Sequence, residues 1–305
     1  MKASFRESLP PEFVTNTIAL CGKAGKDWLE TLPKRIGTLE NRWSITVHEH
    51  FPNLSYNFVA PATRRDGERV VLKIGLPLND IEIFGEAKYL RTLAGDGAVR
   101  LLAEDRDLHA ILLERAVPGI NLTKVFEGRE AEAIAPSIEV LRHVLRPLPD
   151  DLSDTILLDK WFYGLRRYPG TKFPVEYASK ALDIYDHLSG QPGRKSYLHG
   201  DFHPDNILSA ERSRFIVIDP KGIVGHIGYE ISVFLNNFHW WQDQKPDIRD
   251  ILDLAVRQFA HAFDLDPLDL RKWAFAQMVL GTWWQFDEMG IDAAEGLANA
   301  DIWDV

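Results

Sequence analysis

The chain has 305 residues, a length that suits one large domain or two lobes and allows a sizeable core. Its hydrophobic and charged contents, 45% and 26%, are those of a soluble globular protein. The net charge of −10 argues against nucleic acid or an anionic membrane as partner, and it leaves room for a cationic ligand.

The compartment follows from cysteine content and from the N-terminal sequence. A single cysteine, Cys21, excludes an internal disulfide, which favours a reducing environment. Neither a signal peptide nor a run of about 18 apolar residues is evident. We therefore expect a cytoplasmic protein without a membrane partner.

The first part of the chain is predicted to form a helix and then a sheet. Residues 10–40 carry apolar side chains near helical spacing. Five strand-like runs follow: WSITVHEH, SYNFVAP, ERVVLKIG, AVRLLAED and HAILLERAV. Between the third and fourth runs, NDIEIFGEAKYLRTLAGDG predicts one helix with Asn79 or Asp80 as its N-cap. This order predicts an antiparallel sheet with one packed helix.

From about residue 118 onwards the sequence is predicted to be mostly helical. Helical periodicity or long helix-forming runs occupy residues 122–146, 155–167, 174–190, 227–240, 247–263 and 267–289. The fold class expected is therefore α+β with two lobes. The small antiparallel β-rich N-terminal lobe would comprise residues 1–117 and the larger helical C-terminal lobe residues 118–305, with a hinge near Pro118-Gly119.

The stretch YLHGDFHPDNILSAERSRFIVIDPKG, residues 197–222, interrupts this helical pattern with polar residues beside apolar runs. Its two short apolar segments predict a hairpin that returns Asp219 to a position beside Asn206. An amide oxygen and a carboxylate at one site suit Mg²⁺, and Asp201 just before them is placed to accept a proton. These are the parts of a phosphoryl-transfer site.

Simpler interpretations of the same stretch remain open. The His-Gly-Asp segment alone is also compatible with a turn and a capping aspartate. The spacing of His199 and His203 suggests zinc, although the intervening Gly200 disfavours a helix. We expect His199 to brace the loop by hydrogen bonding.

The upstream sequence supports the phosphoryl-transfer interpretation. In protein kinases a catalytic-loop Asp precedes an Asn and then a metal-binding Asp, and Asp201, Asn206 and Asp219 have this order. Lys73 lies on a predicted strand and Glu86 on the next helix, where the carboxylate would pair with the lysine.

The segments LHGDFHPDNIL and IDPKGIVG resemble those of the aminoglycoside phosphotransferases, small-molecule relatives of the protein kinases. More narrowly, LSYNFVAPA, VVLKIG, LLERAVPG and IDPKGIVGHIGYE resemble the aminoglycoside/hydroxyurea resistance kinases, whose best-known members are streptomycin 6-phosphotransferases. The similarity extends from about residue 10 to about residue 285. It implies a protein kinase-like fold.

The resemblance also implies roles for the motif residues. Asp201 would be the catalytic base, while Asn206 and Asp219 would hold Mg²⁺. Lys73 would contact the phosphates of ATP, and Glu86 would orient that lysine.

Two further segments are implied to contact the nucleotide. One differs from the protein-kinase pattern, and the other connects the lobes. SYNFVA, residues 55–60, replaces the glycine-rich loop, so Ser55 and Asn57 are the candidate phosphate contacts. The connector LLERA, residues 112–116, would hydrogen-bond adenine through its backbone, with Glu114 and Ala116 as the contacts.

The C-terminal end is acidic. No Lys or Arg follows Lys272, and we interpret Asp287 and Glu288 as candidate contacts to a cationic acceptor. The alternative is an acidic face that only contacts solvent.

The expected function is therefore ATP-dependent phosphorylation of an aminoglycoside hydroxyl, the 6-position of streptomycin, by a monomeric antibiotic-resistance kinase. The alternatives are a kinase of another small alcohol or of hydroxyurea and, from a different class, a nucleotide-binding pseudokinase that acts as a scaffold. The absence of an A-P-E segment disfavours a protein substrate.

Overall fold

The computed structural model describes residues 5–77, 82–167, 172–192, 194–242 and 248–305, except for the side chains of residues 239–242 and 288–289. The chain divides into two compact units, Met1–Val117 and Pro118–Val305, here called the N-terminal and C-terminal units. The helix cap predicted at Asn79 or Asp80 lies outside the described residues.

The N-terminal unit contains a five-stranded sheet and two helices. Its elements are α1 (Pro11–Trp43), β1 (Ile45–Val47), β2 (Phe58–Arg64), β3 (Arg69–Ile74), α2 (Glu82–Leu93), β4 (Leu101–Asp105) and β5 (Ala110–Glu114). The strand order is β1-β2-β3-β5-β4, with every neighbouring pair antiparallel. The predicted sheet with one helix between its third and fourth strands is confirmed.

Helix α1 covers one face of this sheet. Its apolar residues Trp28, Leu29 and Leu32 pack in one buried cluster with Phe58 and Leu72 from the strands. The helix is interrupted at Gly22, whose φ of +56° is outside the helical region. The predicted helix is present, and its long apolar stripe is explained by burial against the sheet.

The C-terminal unit is mostly helical, as predicted. Its helices are α3 (Leu122–Val125), α4 (Ile134–Val144), α5 (Leu158–Arg167), α6 (Val175–Ser189), α7 (Ile227–Gln242), α8 (Ile248–Phe263), α9 (Pro267–Met289) and α10 (Ala294–Ala300). The single helix predicted over residues 122–146 is wrong, because Gly128 adopts a φ of +77° and separates α3 from α4. None of the described helices has the length and apolar character needed to cross a bilayer.

Two small sheets interrupt the helices. The strands are β6 (Pro118–Asn121), β7 (Ile156–Leu157), β8 (Lys195–Leu198), β9 (Ile207–Ala210), β10 (Phe215–Val217) and β11 (Ile223–His226). They form the sheets β10-β9-β6 and β7-β11-β8. The predicted hairpin is β9–β10. Strands β8 and β11 were not predicted, because they pair with each other across that hairpin and no tight turn connects them. The polar residues His199, Asp201 and Asn206 lie in the segment after β8, and Asp219 lies in the segment after β10.

Candidate active site

The N-terminal unit holds a buried ion pair between adjacent elements. Lys73 on β3 points its Nζ to within 2.6 Å of Glu86 Oε2 on α2. The side chains are only 5% and 3% exposed, so both charges are removed from water. Burying charges is costly unless they are paired, and a pair at this depth is unlike the exposed ion pairs of protein surfaces. The predicted pairing of these two residues is confirmed.

The other predicted nucleotide contacts also lie in this unit. Ser55 is exposed and Asn57 is half-buried, both in the loop that precedes β2. Glu114 ends β5, and its carboxylate accepts a hydrogen bond from the backbone N–H of Arg100 at 2.9 Å. Ala116 is half-buried just beyond that strand. Because the Glu114 side chain contacts Arg100, a nucleotide contact there would use the backbone, and the roles of all four residues stay predictions.

In the C-terminal unit, a sharp turn follows β8. Gly200 has a φ of +83°, and a Cβ atom there would approach the Ile223 side chain at 3.1 Å and Lys221 Cβ at 3.2 Å. Both the backbone conformation and the close contacts require glycine at this position. The turn brings Asp201 next to the segment that follows β10.

His199 braces this turn from inside. The ring is completely buried, its Nε2 donates to the carbonyl oxygen of Ile218 at 2.9 Å, and its Nδ1 accepts from the backbone N–H of Asp201 at 3.2 Å. Burial lowers the pKa of His199 to about 4, so the ring is neutral near pH 7. The predicted bracing role is confirmed, and the two hydrogen bonds leave neither nitrogen for the alternative of a zinc ion.

Glu230 anchors the same turn and was not predicted. Its carboxylate on α7 is fully buried and accepts hydrogen bonds from the backbone N–H groups of His199 and Gly200, each at 2.8 Å. Burial raises the pKa of Glu230 to about 8, while the two donors act in the opposite direction. The available signal was a single carboxylate within the apolar run IGYEISVFL, a context in which a charged residue needs buried partners.

Hydrogen bonds hold the backbone of Asp201, and its carboxylate is partly exposed to solvent. Asn206 Nδ2 donates to the backbone oxygen of Asp201 at 3.0 Å and lies 3.4 Å from its Oδ2. His203 Nε2 is 3.8 Å from Oδ1. The Asp201 side chain is 33% exposed, so a hydroxyl can reach the carboxylate. This arrangement suits a group that orients a hydroxyl and accepts its proton.

Asn206 and Asp219 flank the β9–β10 hairpin as predicted. The backbone N–H of Ile218 donates to the backbone carbonyl oxygen of Asn206 at 3.0 Å, so Ile218 lies opposite Asn206. Asp219 is the next residue along the chain. Asp219 has a φ of +57°, an uncommon conformation that aspartate tolerates better than most residues. Such strained positions concentrate at functional sites.

The donor set at this hairpin fits Mg²⁺. The Asn206 amide nitrogen is engaged with Asp201, so its oxygen is the atom that remains for a metal. Within the described part of the chain, no group of three or more His, Cys, Asp or Glu side chains is positioned to hold a metal. Mg²⁺ is commonly bound through one or two protein oxygens together with substrate phosphates, and Asn206 with Asp219 matches that pattern.

A second anchor ties the loop to the first residues of the unit. Asp205, in the 3₁₀ turn Pro204–Asn206, accepts hydrogen bonds from Asn121 Nδ2 and Thr123 Oγ1, both at 2.7 Å. This carboxylate precedes Asn206 directly. The hydrogen bonds therefore restrict the backbone that carries the candidate metal ligand.

The candidate acceptor residues belong to the end of helix α9 in the C-terminal unit. Asp287 is exposed near the C-terminal end of α9, and the side chain of Glu288 lies outside the described part of the chain. The structure does not relate either residue to Asp201 through a contact among the described side chains. Their acceptor role stays a prediction.

Comparison with solved structures identifies the fold. A thermostable aminoglycoside phosphotransferase, solved with ADP and hygromycin B, superposes with a TM-score of 0.62 at 16% sequence identity. The match covers 88% of this chain and 97% of that protein. The chain therefore has the protein kinase-like fold of the aminoglycoside phosphotransferases, as the sequence predicted.

Sequence comparison identifies the family. The pattern of the aminoglycoside/hydroxyurea antibiotic resistance kinases matches residues 42–290, so the chain belongs to this family of kinases. The streptomycin 6-kinase of Streptomyces glaucescens is 26% identical over 94% of both chains. The hydroxyurea phosphotransferase of Kitasatospora aureofaciens is 28% identical over 92% of this chain and 81% of its own length. The predicted family is confirmed.

Proposed function

We propose that the chain is an ATP-dependent O-phosphotransferase that modifies an aminoglycoside hydroxyl, the 6-position of streptomycin, and so confers resistance. The observation that carries the proposal is the accessible carboxylate of Asp201, held by buried groups beside Asn206 and the Asp219 hairpin. Streptomycin is the acceptor of a relative that matches 94% of the chain, which supports the choice of substrate.

In this proposal Asp201 orients the acceptor hydroxyl and takes its proton while the hydroxyl oxygen forms a bond to the γ-phosphorus. The bond to the β–γ bridging oxygen breaks, and ADP leaves. Asn206 Oδ1 and the Asp219 carboxylate would hold Mg²⁺. Bound there, Mg²⁺ would neutralise charge on the phosphates of ATP.

The N-terminal unit would supply the nucleotide contacts. Lys73 carries the positive charge for the phosphates, and the 2.6 Å contact with Glu86 fixes the direction of its side chain. Ser55 and Asn57 would contact the phosphates from their loop. The backbone at Glu114 and Ala116 would hydrogen-bond adenine.

The acceptor in this proposal is a small cation. The net charge of −10 and the exposed carboxylate of Asp287 favour a cationic molecule over an anionic one. Asp287 and Glu288 would contact its cationic groups, and the chain would act as a monomer in the cytoplasm.

The test is turnover by the purified chain with ATP, Mg²⁺ and streptomycin, with the phosphorylated position assigned by ³¹P–¹H NMR. A 6-phosphate with ADP as co-product supports the proposal. Phosphorylation at another hydroxyl would contradict the position, and absence of product would contradict the acceptor. The Asp201→Asn variant provides the matched control, because it keeps the side-chain shape and lacks the basic carboxylate.

Hydroxyurea is the second candidate acceptor, since the relative that phosphorylates it is 28% identical. Parallel assays with hydroxyurea and with small metabolite alcohols compare kcat/KM among the acceptors. A preference for hydroxyurea would transfer the assignment to that compound. Nucleotide binding without turnover on any acceptor would favour the pseudokinase scaffold.

A further inference from the structure

Lys221 lies between the two carboxylates of the candidate site. Its Nζ is 3.9 Å from Asp201 Oδ2 and 3.8 Å from Asp219 Oδ1. Both separations exceed hydrogen-bond length, so each is a charge–charge contact. One ammonium group therefore faces the candidate base on one side and the candidate metal ligand on the other.

The backbone holds Lys221 in this position. The N–H groups of Lys221 and Gly222 both donate to the carbonyl oxygen of His199, at 2.6 and 3.3 Å. The missing side chain of Gly200 leaves room for Lys221 Cβ, which a Cβ atom there would approach at 3.2 Å. The backbone of Lys221 thus belongs to the same hydrogen-bonded turn as Asp201.

The location has a consequence for phosphoryl transfer. The acceptor hydroxyl must lie within hydrogen-bond distance of Asp201, and the γ-phosphorus about 3–3.5 Å from the hydroxyl oxygen at attack. The phosphoryl oxygens therefore pass close to the space between Asp201 and Asp219, where the ammonium lies. Negative charge is spread over these oxygens in the transition state, and a nearby cation stabilises it.

We propose that Lys221 is a further catalytic residue that contacts the γ-phosphoryl group of ATP during its transfer to the acceptor. The inference rests on the proposed function. The side chain is 26% exposed and has a flexible four-carbon stem, so the ammonium can move from the carboxylates to a phosphoryl oxygen. The DPKG segment, in which Pro-Lys follows the metal-binding Asp, would then supply a charge that a Phe-Gly pair lacks.

The experiment compares two nucleotides that differ in the γ-phosphoryl group. Calorimetry measures the affinity of the full chain for AMP-PNP and for ADP, both with Mg²⁺, in wild type and in Lys221→Met. Charge-assisted hydrogen bonds to phosphate predict a loss of about tenfold to hundredfold for AMP-PNP. The affinity for ADP should change less than about threefold, and Lys221→Arg should restore most of the AMP-PNP affinity.

The matched control is Lys195→Met. Lys195 is exposed at the start of β8, so this variant removes the same charge from the C-terminal unit without changing the turn. It should leave both affinities near wild type. Circular dichroism establishes that each variant is folded. In a single-turnover assay, the rate of phosphoryl transfer should be lower for Lys221→Met than for wild type, and unchanged for Lys195→Met.

Three outcomes would overturn the inference. Equal losses for ADP and AMP-PNP would mean that Lys221 only supports the loop. Tighter binding of both nucleotides would mean that the lysine merely occupies the metal position at Asp219 in the absence of Mg²⁺. If the wild-type chain binds neither nucleotide, the proposed function itself fails, which distinguishes that failure from the failure of Lys221.

Discussion

The Lys73–Glu86 pair and the Asp201 turn hold charged groups in two different ways. In the N-terminal unit, both charges are buried and neutralise each other directly on a regular strand and a regular helix. In the C-terminal unit, the carboxylates of Asp201 and Asp219 are 33% and 39% exposed and lie on irregular backbone.

The two regions differ in which groups hold the charged side chains in position. The buried pair is held by the direct contact between Lys73 Nζ and Glu86 Oε2. The exposed carboxylates depend on a turn that two fully buried side chains hold in place. His199 bonds to the backbone of Asp201 and Ile218, and Glu230 accepts from the backbone N–H groups of His199 and Gly200. We infer that changes in the N-terminal pair affect stability and nucleotide binding together, whereas changes in the turn separate turnover from binding.

The largest expected effect is on turnover, from Asp201→Asn. The variant retains the shape and one acceptor oxygen of Asp201 but lacks the basicity, and a positioned general base contributes about 10²–10⁴-fold. We expect kcat to fall by that factor while nucleotide affinity stays near wild type. Steady-state kinetics with separate calorimetry checks this. A variant that retains more than about a tenth of wild-type kcat would contradict the role of Asp201.

Breaking the buried pair should have the next largest effect. Lys73→Met leaves the Glu86 carboxylate buried without its cation, which costs about 3–5 kcal/mol of stability. Hydrogen exchange of the β3 and α2 amides should accelerate accordingly, and affinity for ATP should fall.

The double variant Lys73→Met/Glu86→Leu separates these two effects. Replacing a buried ion pair by apolar residues is often neutral for stability, so hydrogen exchange should return towards wild type. Nucleotide affinity should stay low, because the cation is still absent. Recovery of nucleotide affinity in the double variant would show that the pair serves the fold alone.

The sequence predicted the pair and the three loop residues because each occupies a position in an ordered motif. The apolar, β-branched run RVVLKI predicts strand β3, and the long run that follows it predicts helix α2, so Lys73 and Glu86 could be placed on adjacent elements. The hairpin that connects Asn206 to Asp219 followed from two short apolar runs with a polar turn.

The supporting groups could not be predicted in the same way. Glu230 contacts the turn across 30 residues of sequence, and that contact requires the packing of α7 against β8. The hydrogen bond from Thr123 to Asp205 connects residues that are 82 positions apart in the sequence. Neither local propensity nor periodicity encodes such contacts, since they depend on tertiary packing that no short segment specifies.

A smaller effect is expected from the buried anchor of the turn. Glu230→Gln provides one acceptor where two backbone N–H groups need two, and it directs an amide N–H toward the second donor. One unsatisfied buried group costs about 1–3 kcal/mol of stability, so the turn should shift to relieve it. We expect kcat to fall about tenfold because this shift misplaces Asp201.

Glu230→Asp serves as the control for this positioning role, because the shorter carboxylate retains both acceptor oxygens. It should recover part of the lost kcat, and nucleotide affinity should stay near wild type in both variants. If Glu230→Gln lowered nucleotide affinity as much as kcat, the anchor would act on the whole unit and not on the turn.

The smallest effect is expected at the acidic C-terminal end, where the Asp287 and Glu295 side chains are exposed and solvent screens their charges. The double variant Asp287→Asn/Glu288→Gln should raise KM for a cationic acceptor by no more than about fivefold for each charge removed, because one exposed ion pair contributes about 0.2–1 kcal/mol. The increase should shrink in higher salt, and KM for ATP should not change.

The matched control is Glu295→Gln, which changes an exposed residue in the same acidic segment. If Glu295→Gln raised the acceptor KM as much per charge removed as the double variant, the segment would act through its summed negative charge. A specific contact at Asp287 and Glu288 requires that the control remain near wild type, and an unchanged KM in every variant would identify the segment as a solvent-exposed acidic face.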